Sequence, residues 1–241
     1  MVRRTLQLIK KSAHRIIENL LGIKIHKLRH GCEDWFDIQT SGCQINTIFD
    51  VGANIGQSAL KFREAFPKSS IYCFEPVSST FRKLKATVVR DSNINCYSIA
   101  FGSSPGNCTI YLPPNSTTSS LIPTPDATGS ESVLVKTVDN FASENNIERI
   151  DLLKIDTEGF DLEVLKGASH MLSRRRIAFV LAEVGFNPMD KRHVLFDDVR
   201  SYLLEKGFSL FGIYDQHLEW SGENRMRYAN VCFCNEEAFS R

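Results

Sequence analysis

The sequence has no apolar run long enough for a membrane-spanning helix, and no basic leader enters an apolar block with a cleavage site, so neither a span nor a secretory signal is expected. It also lacks charge of one sign. With 29 Lys and Arg against 28 Asp and Glu the net charge is +1, which argues against a nucleic-acid partner held by a global basic field. The seven cysteines are odd in number and scattered, and Cys232-x-Cys234 has neither zinc nor redox spacing, so reduced thiols in the cytoplasm are expected. No internal repeat is present. What remains is 241 residues, 42% apolar and 24% charged, enough for one α/β domain with a full core plus extensions.

The chain is organised around the stretch from Ile45 to Pro76. Ile45, Ile48, Phe49 and Val51 form an apolar run short enough for a strand buried on both faces, and Gly52 to Gly56 breaks it. Gln57 to Phe66 then carries Ala59, Leu60, Phe62, Ala65 and Phe66 at helical spacing, and Pro67 stops the helix. Ile71 to Phe74 is a second strand, ending on Glu75. A right-handed βαβ crossover sets the glycine turn and Glu75 side by side at the carboxyl edge of a parallel sheet, where doubly wound folds bind nucleotides.

The turn lacks two glycines of a dinucleotide site. In G-x-G-x-x-G the second lets the backbone approach a pyrophosphate and the third lets helix and strand close, but Asn54 and Gln57 stand there. Glu75, about 20 residues beyond the turn as a ribose-binding acid should be, can accept from two hydroxyls at once. Asp50 is placed to meet a cationic ligand end. A nucleoside with a ribose, no pyrophosphate and an amino acid moiety fits these groups better than a nicotinamide dinucleotide, and S-adenosylmethionine is such a molecule.

Residues 1 to 44 are expected to be an N-terminal helical extension and 45 to 241 the main domain. Leu6, Ile9, Ala13, Ile16 and Leu20 fall at helical spacing opposite Arg3, Arg4, Lys10, Lys11 and Arg15. Such a basic amphipathic helix packs on a sheet edge or a subunit, or makes a weak membrane contact. Residues 26 to 44 read as a connecting segment. Beyond Pro76 the pattern predicts a helix from Ser78, a third strand from Ile94 to Phe101, and a β-pair over 108–112 and 132–136. The Pro, Ser and Thr-rich segment between the pair is far longer than a hairpin loop, and Ser119-Ser120-Leu121 is a candidate contact within it.

Ile150 to Leu172 is the second informative stretch. Ile150 to Ile155 is a buried parallel strand, Glu158-Gly159 the turn, and Phe160, Leu162, Val164, Leu165 and Leu172 line a helix. Lys154 and Asp156 alternate onto one face, where charge is costly unless paired or at an exposed end. Ile177 to Ala182 is the next strand and ends on Glu183. If it lies beside the previous one, Lys154, Asp156, Glu158 and Glu183 converge at the carboxyl edge. A loop to His193, an amphipathic helix to Lys206 and a final antiparallel strand pair complete the chain.

With both stretches in hand, the chain resembles the FkbM-type methyltransferases, a family of S-adenosylmethionine-dependent O-methyltransferases. The resemblance rests on Phe49-Asp-Val-Gly-Ala-Asn-Ile-Gly-Gln57, on Phe74-Glu-Pro76, and most specifically on Ile150-Asp-Leu-Leu-Lys-Ile-Asp-Thr-Glu-Gly-Phe-Asp-Leu-Glu-Val-Leu-Lys-Gly-Ala168. It departs at Thr157, where a small aliphatic residue is common, and at Asp161, where Glu is common. It implies a Rossmann-like class I methyltransferase fold: an α/β domain with a mostly parallel seven-stranded sheet, an antiparallel C-terminal strand and, here, the appended β-pair. It implies Asp50, Gly52, Asn54, Gly56 and Glu75 at the donor. The implied acceptor is a hydroxyl of a small molecule or glycan, often a sugar or polyketide-type natural product.

Methyl transfer is an in-line displacement, so the acceptor oxygen must be held about 3 Å from the methyl, opposite the sulfur, and relieved of its proton. Asp156, steadied by Lys154, is the first candidate base and Glu183 the second, with Glu158 beside them. His193 has the right intrinsic pKa, but a lone histidine opening a helix is ordinarily a surface residue. The pattern names no metal site, although three acids at one edge could hold Mg²⁺. A nicotinamide oxidoreductase is disfavoured by Asn54 and Gln57, a non-catalytic binding module by the acidic cluster, and planar-nitrogen methylation by the lack of an Asn-Pro-Pro-Tyr-like block.

Overall fold

The computed structural model describes residue 20 and residues 31–112, 129–190, 192–219 and 224–239. The expected amphipathic helix over 1–25 and nearly all of the Pro, Ser and Thr-rich segment lie outside them. The first elements are α1 (Asp34–Thr40), β1 (Thr47–Val51), α2 (Gln57–Ala65), β2 (Ser70–Phe74), α3 (Ser78–Val88), β3 (Ile94–Tyr97), β4 (Ala100–Phe101), β5 (Gly106–Leu112) and β6 (Gly129–Lys136). They are followed by α4 (Val138–Glu144), β7 (Ile150–Ile155), α5 (Asp161–Lys166), α6 (Ser169–Ser173), β8 (Ile177–Gly185), β9 (Val194–Leu195), α7 (Phe196–Glu205), β10 (Phe208–Leu218) and β11 (Met226–Asn235).

The main sheet runs β10-β11-β8-β7-β1-β2-β3, with β9 added beside β8. All its pairings are parallel except those of β11, which enters antiparallel between β8 and β10. This is the expected α/β class I arrangement, with an eighth strand of two residues beyond the seven expected. The β-pair of β5 and β6 is a three-stranded sheet, because the predicted third strand breaks after Tyr97 and its end, β4, pairs with β6 instead. Residues 34–40, read as part of a connection, form α1, which buries Ile38 and accepts a 2.9 Å hydrogen bond from the Tyr214 hydroxyl on Asp37.

Period-two alternation divides the core. In β1 and β7 the register pairs Phe49 with Leu153 and Ile48 with Leu152. The first pair packs with Phe74 and Phe141 in one layer, the second with Phe62, Ile71 and Leu84 in the other. The same register sets Asp50 of β1 directly beside Lys154 of β7. A charge pair thus occupies the last inward position before the sheet opens at its carboxyl edge.

Candidate active site

Two left-handed bends meet at that edge. In the first, Gly52 has φ of 79°, and a Cβ there would fall 1.9 Å from the Asp156 carbonyl oxygen, so only glycine lets the ends of β1 and β7 close. The Gly52 and Ala53 N–H groups both donate to the Phe74 carbonyl at 3.0 Å and are engaged within the fold. Asn54, with φ of 50°, donates its N–H to Glu75 Oε2 at 3.1 Å, and the Val77 N–H donates to Oε1 at 2.9 Å. Burial pushes the Glu75 carboxyl up to about 7 against these two bonds. Each oxygen keeps a further lone pair for a ligand hydroxyl. In the second bend Glu158 has φ of 52° before Gly159 at 97°, a conformation that costs a side-chain-bearing residue about 1 kcal/mol.

Between the bends lies a cleft of about 230 Å³. Gly52, Asn54, Glu75, Asp156, Glu158 and Glu183 form its polar wall, and Phe74, Val77, Ile99, Phe101 and Ile110 its apolar wall. The fold therefore brings together most of the residues expected at the site. Asp50, Lys154 and Gly56 are not among the lining residues. Asp50 is fully buried, with Lys154 Nζ 3.2 Å from its Oδ1. The same ammonium reaches Asp156 Oδ2 at 3.2 Å and the Gly52 carbonyl at 3.5 Å, tying both bends to one cation. Burial alone would lower the Lys154 ammonium, but Asp50 and Asp156 hold it above its ordinary value; burial raises Asp50. Gly56 begins α2 at φ of 96°, where a Cβ would press on Leu84 of α3.

The structure adds groups that sequence reasoning passed over or ranked low. His193 is no surface residue: its side chain is 6% exposed, Nε2 lies 3.0 Å from Glu183 Oε2 and Nδ1 2.9 Å from Asp190 Oδ2. Its spacing from Asp190 was the one available signal, and the link to Glu183 depends on tertiary packing. Asp161, noticed only as a departure from a family pattern, is buried; its Oδ2 accepts from the Thr157 hydroxyl at 2.9 Å and its Oδ1 has no hydrogen-bond partner. Burial first, then the Asp156 charge, pushes it up to about 7. Arg192 pairs with Glu158 at 3.1 Å, yet burial still raises that carboxyl. Among the described residues, no three His, Cys, Asp or Glu side chains are grouped so as to hold a metal ion.

A family model described as the methyltransferase FkbM domain matches residues 50–210. The chain belongs to the FkbM methyltransferase family. Curated relatives include the hexuronic acid methyltransferase AglP of Haloferax volcanii, 25% identical over 150 residues, covering 62% of this chain and 61% of that one. The 2-O-methyltransferase NoeI of Sinorhizobium fredii is 25% identical over 149 residues, 55% of this chain and 61% of its own. Methyltransferase 1 of Beauveria bassiana is 29% identical over 145 residues, 50% of this chain and 57% of its own. The chain thus spans about three fifths of the length of these curated relatives. Among solved structures, the magnesium protoporphyrin IX methyltransferase of Synechocystis with bound SAM aligns at a TM-score of 0.48 and 11% identity, over 83% of this chain and 75% of that one.

Proposed function

We propose that this FkbM-family chain is an S-adenosylmethionine-dependent O-methyltransferase acting on a hydroxyl of a sugar, glycan or related natural product. The observation that carries the reading is the cleft itself, where a carboxylate already fixed by two backbone N–H groups faces an apolar wall on one side and an acidic wall on the other. Glu75 holds the ribose hydroxyls, with Val77, Ile99 and Phe101 as the adenine's apolar surroundings. Bound S-adenosylmethionine supplies a methyl group made electrophilic by its sulfonium.

The role first read for Asp50, meeting the donor's cationic end, passes to Asp156 in this proposal. Asp50 is shut away behind Lys154, whereas the Asp156 side chain is 41% exposed and lines the cleft. The Asp50, Lys154 and Asp156 cluster then carries one net negative charge, which suits one ammonium. That leaves Glu183 as the acceptor of the hydroxyl proton, with Glu158 and Arg192 flanking the entrance. AglP and NoeI, by name a hexuronic acid methyltransferase and a 2-O-methyltransferase, support the sugar class of acceptor. Among the described residues no helix is long and apolar enough to cross a membrane, and a cytoplasmic site of action is part of the same proposal.

Calorimetry tests the donor site. S-adenosylhomocysteine is expected to bind, E75A to abolish binding, and D156N to weaken S-adenosylhomocysteine about tenfold while sparing methylthioadenosine, which has no ammonium. No heat with the parent protein overturns the reading. The acceptor is sought with labelled donor and a panel of methyl glycosides of hexoses and hexuronic acids, nucleotide sugars and glycolipids, with products resolved by mass.

A further inference from the structure

We infer that His193 is a positioning residue, gripping Glu183 as an imidazolium anchored on Asp190 and so holding the carboxylate that takes the acceptor's proton. The inference rests on the methyl-transfer reading of the cleft and names a part of its machinery that the sequence motifs do not contain.

The geometry is a three-residue line. Asp190 Oδ2 meets Nδ1 at 2.9 Å and Nε2 meets Glu183 Oε2 at 3.0 Å. A neutral imidazole offers one donor and one acceptor nitrogen and can satisfy only one of these carboxylates, whereas an imidazolium donates to both. Burial alone would lower the ring's pKa, but hydrogen bonding and charge from Glu183 and then Asp190 raise it above its ordinary value.

The remaining neighbours fix the ring without competing for it. Tyr228 of β11 stacks on it at 4.4 Å and 13°, and His217 of β10 stacks on Tyr228 at 4.3 Å. Arg227 Nε donates to Asp190 Oδ2 at 2.8 Å and the Arg192 N–H to Oδ1 at 3.0 Å, while the Arg192 guanidinium is on Glu158. Asp190 is thus anchored independently of the histidine by a donor on β11 and by one in its own loop. The second link of His193 runs to a residue that lines the cleft. A β-carbon at Gly185 would approach His193 Cβ to 3.1 Å, so the glycine ending β8 lets the His193 segment lie close against the strand.

The consequence is directional. With Oε2 held by His193, Glu183 presents Oε1 to the acceptor. The proton leaves the acceptor's O–H for Oε1 and its bond pair stays on the oxygen, which takes the methyl group; the methyl–sulfur bond would break with its pair left on sulfur, releasing S-adenosylhomocysteine, and Glu183 later releases the proton to solvent. The grip is intact while the imidazole is charged and is lost as pH rises through its folded pKa, so turnover has an alkaline limb that belongs to His193.

Nitrogen-15 NMR of histidine-labelled protein with S-adenosylhomocysteine bound tests the grip directly. The expected result is protonation of both His193 ring nitrogens near pH 7 and a titration that falls by about one unit in E183Q. A neutral ring near pH 7, or a titration indifferent to E183Q, overturns the inference. Methyl transfer from labelled donor to the pooled methyl glycosides supplies the second readout. H193A is expected to lower kcat about 100-fold with S-adenosylhomocysteine affinity unchanged and the alkaline limb gone, and H193Q, which retains one donor, to recover part of the rate. If H193A does not fold, H193Q and H193N carry the comparison. Retention of the parent's rate to within about twofold, with its pH profile, overturns the inference. A parent that binds S-adenosylhomocysteine but methylates none of the pool refutes that acceptor class alone, and the NMR result still decides the grip.

Discussion

Both edges of the central sheet carry a buried carboxylate, and the fold treats the two in opposite ways. At the amino edge Asp151 accepts from the Asn46 and Thr47 N–H groups at 2.8 and 3.0 Å through Oδ2 and from Arg149 Nε at 2.6 Å through Oδ1. Every oxygen is engaged. At the carboxyl edge Asp50 Oδ2 and Asp161 Oδ1 are buried with no hydrogen-bond partner, Glu158 is held in a left-handed bend, and Glu75 and Asp161 are pushed up to about 7. The hollow at the amino edge, about 630 Å³, is larger than the cleft at the carboxyl edge, about 230 Å³. Volume therefore does not mark the site. Incomplete electrostatics single out the carboxyl edge as the candidate, because perturbed and unsatisfied carboxyl groups gather where a cleft has a use for them.

The sharpest way to break the contrast is Gly52→Ala. Its Cβ would collide with the Asp156 carbonyl and its φ disfavours any side chain, so the two bends must part. Loss of donor binding is expected, with destabilisation of at least about 2 kcal/mol, or roughly 4–8 °C in Tm. Asp151→Ala comes next and acts at the other edge. It strands two partly buried N–H groups and a guanidinium, costing about 1–2 kcal/mol by denaturant unfolding, while calorimetry finds donor affinity unchanged. A loss of affinity there would dissolve the distinction between the edges.

Asp161→Asn sharpens it in the opposite sense. The native carboxyl keeps its proton to about 7 while the unfolded one loses it near 3.8, so the native state binds more protons between these values and stability falls as pH rises. The amide has no such cost, and its stability advantage over the parent should grow from about pH 4 to about pH 7 and then level off. A flat difference in Tm across that range refutes the assignment. The smallest effect is expected at Glu75, where S-adenosylhomocysteine affinity rises several-fold as pH passes upward through about 7 and the carboxylate ionises. In E75Q whatever affinity remains should not follow pH through this window.

Much of this was legible in the residues alone. The apolar run to Val51, the Gly52 bend and the helix stopped by Pro67 are local features, set by side-chain periodicity and backbone sterics among near neighbours. From them followed the crossover, the approach of Glu75 to the turn and, with the Ile150 to Ala168 block, the family. The third strand was read too long because apolar residues resume at Ile99, Ala100 and Phe101 after Tyr97 while the backbone changes sheets at Ser98 and Ile99, which periodicity does not record. His193 was ranked as a surface residue because it was read as opening a helix, whereas the helix begins at Phe196 and His193 lies in the bend before β9, where its partners come from other segments.

By itself the sequence determined that a parallel sheet would open onto a glycine bend with carboxylates around it, since each strand and turn depends on residues close in the chain. Only the tertiary structure decided where each carboxylate stands. Strand register set Asp50 beside Lys154 across 104 residues and so withdrew it from the cleft, leaving Asp156 exposed. The packing of β8 against the segment that leads into β9 put Glu183 against His193. Charge pairing of this kind depends on distances between segments, and it is distance, through burial and Coulomb attraction, that decides which acid is spent on the fold and which is left for chemistry.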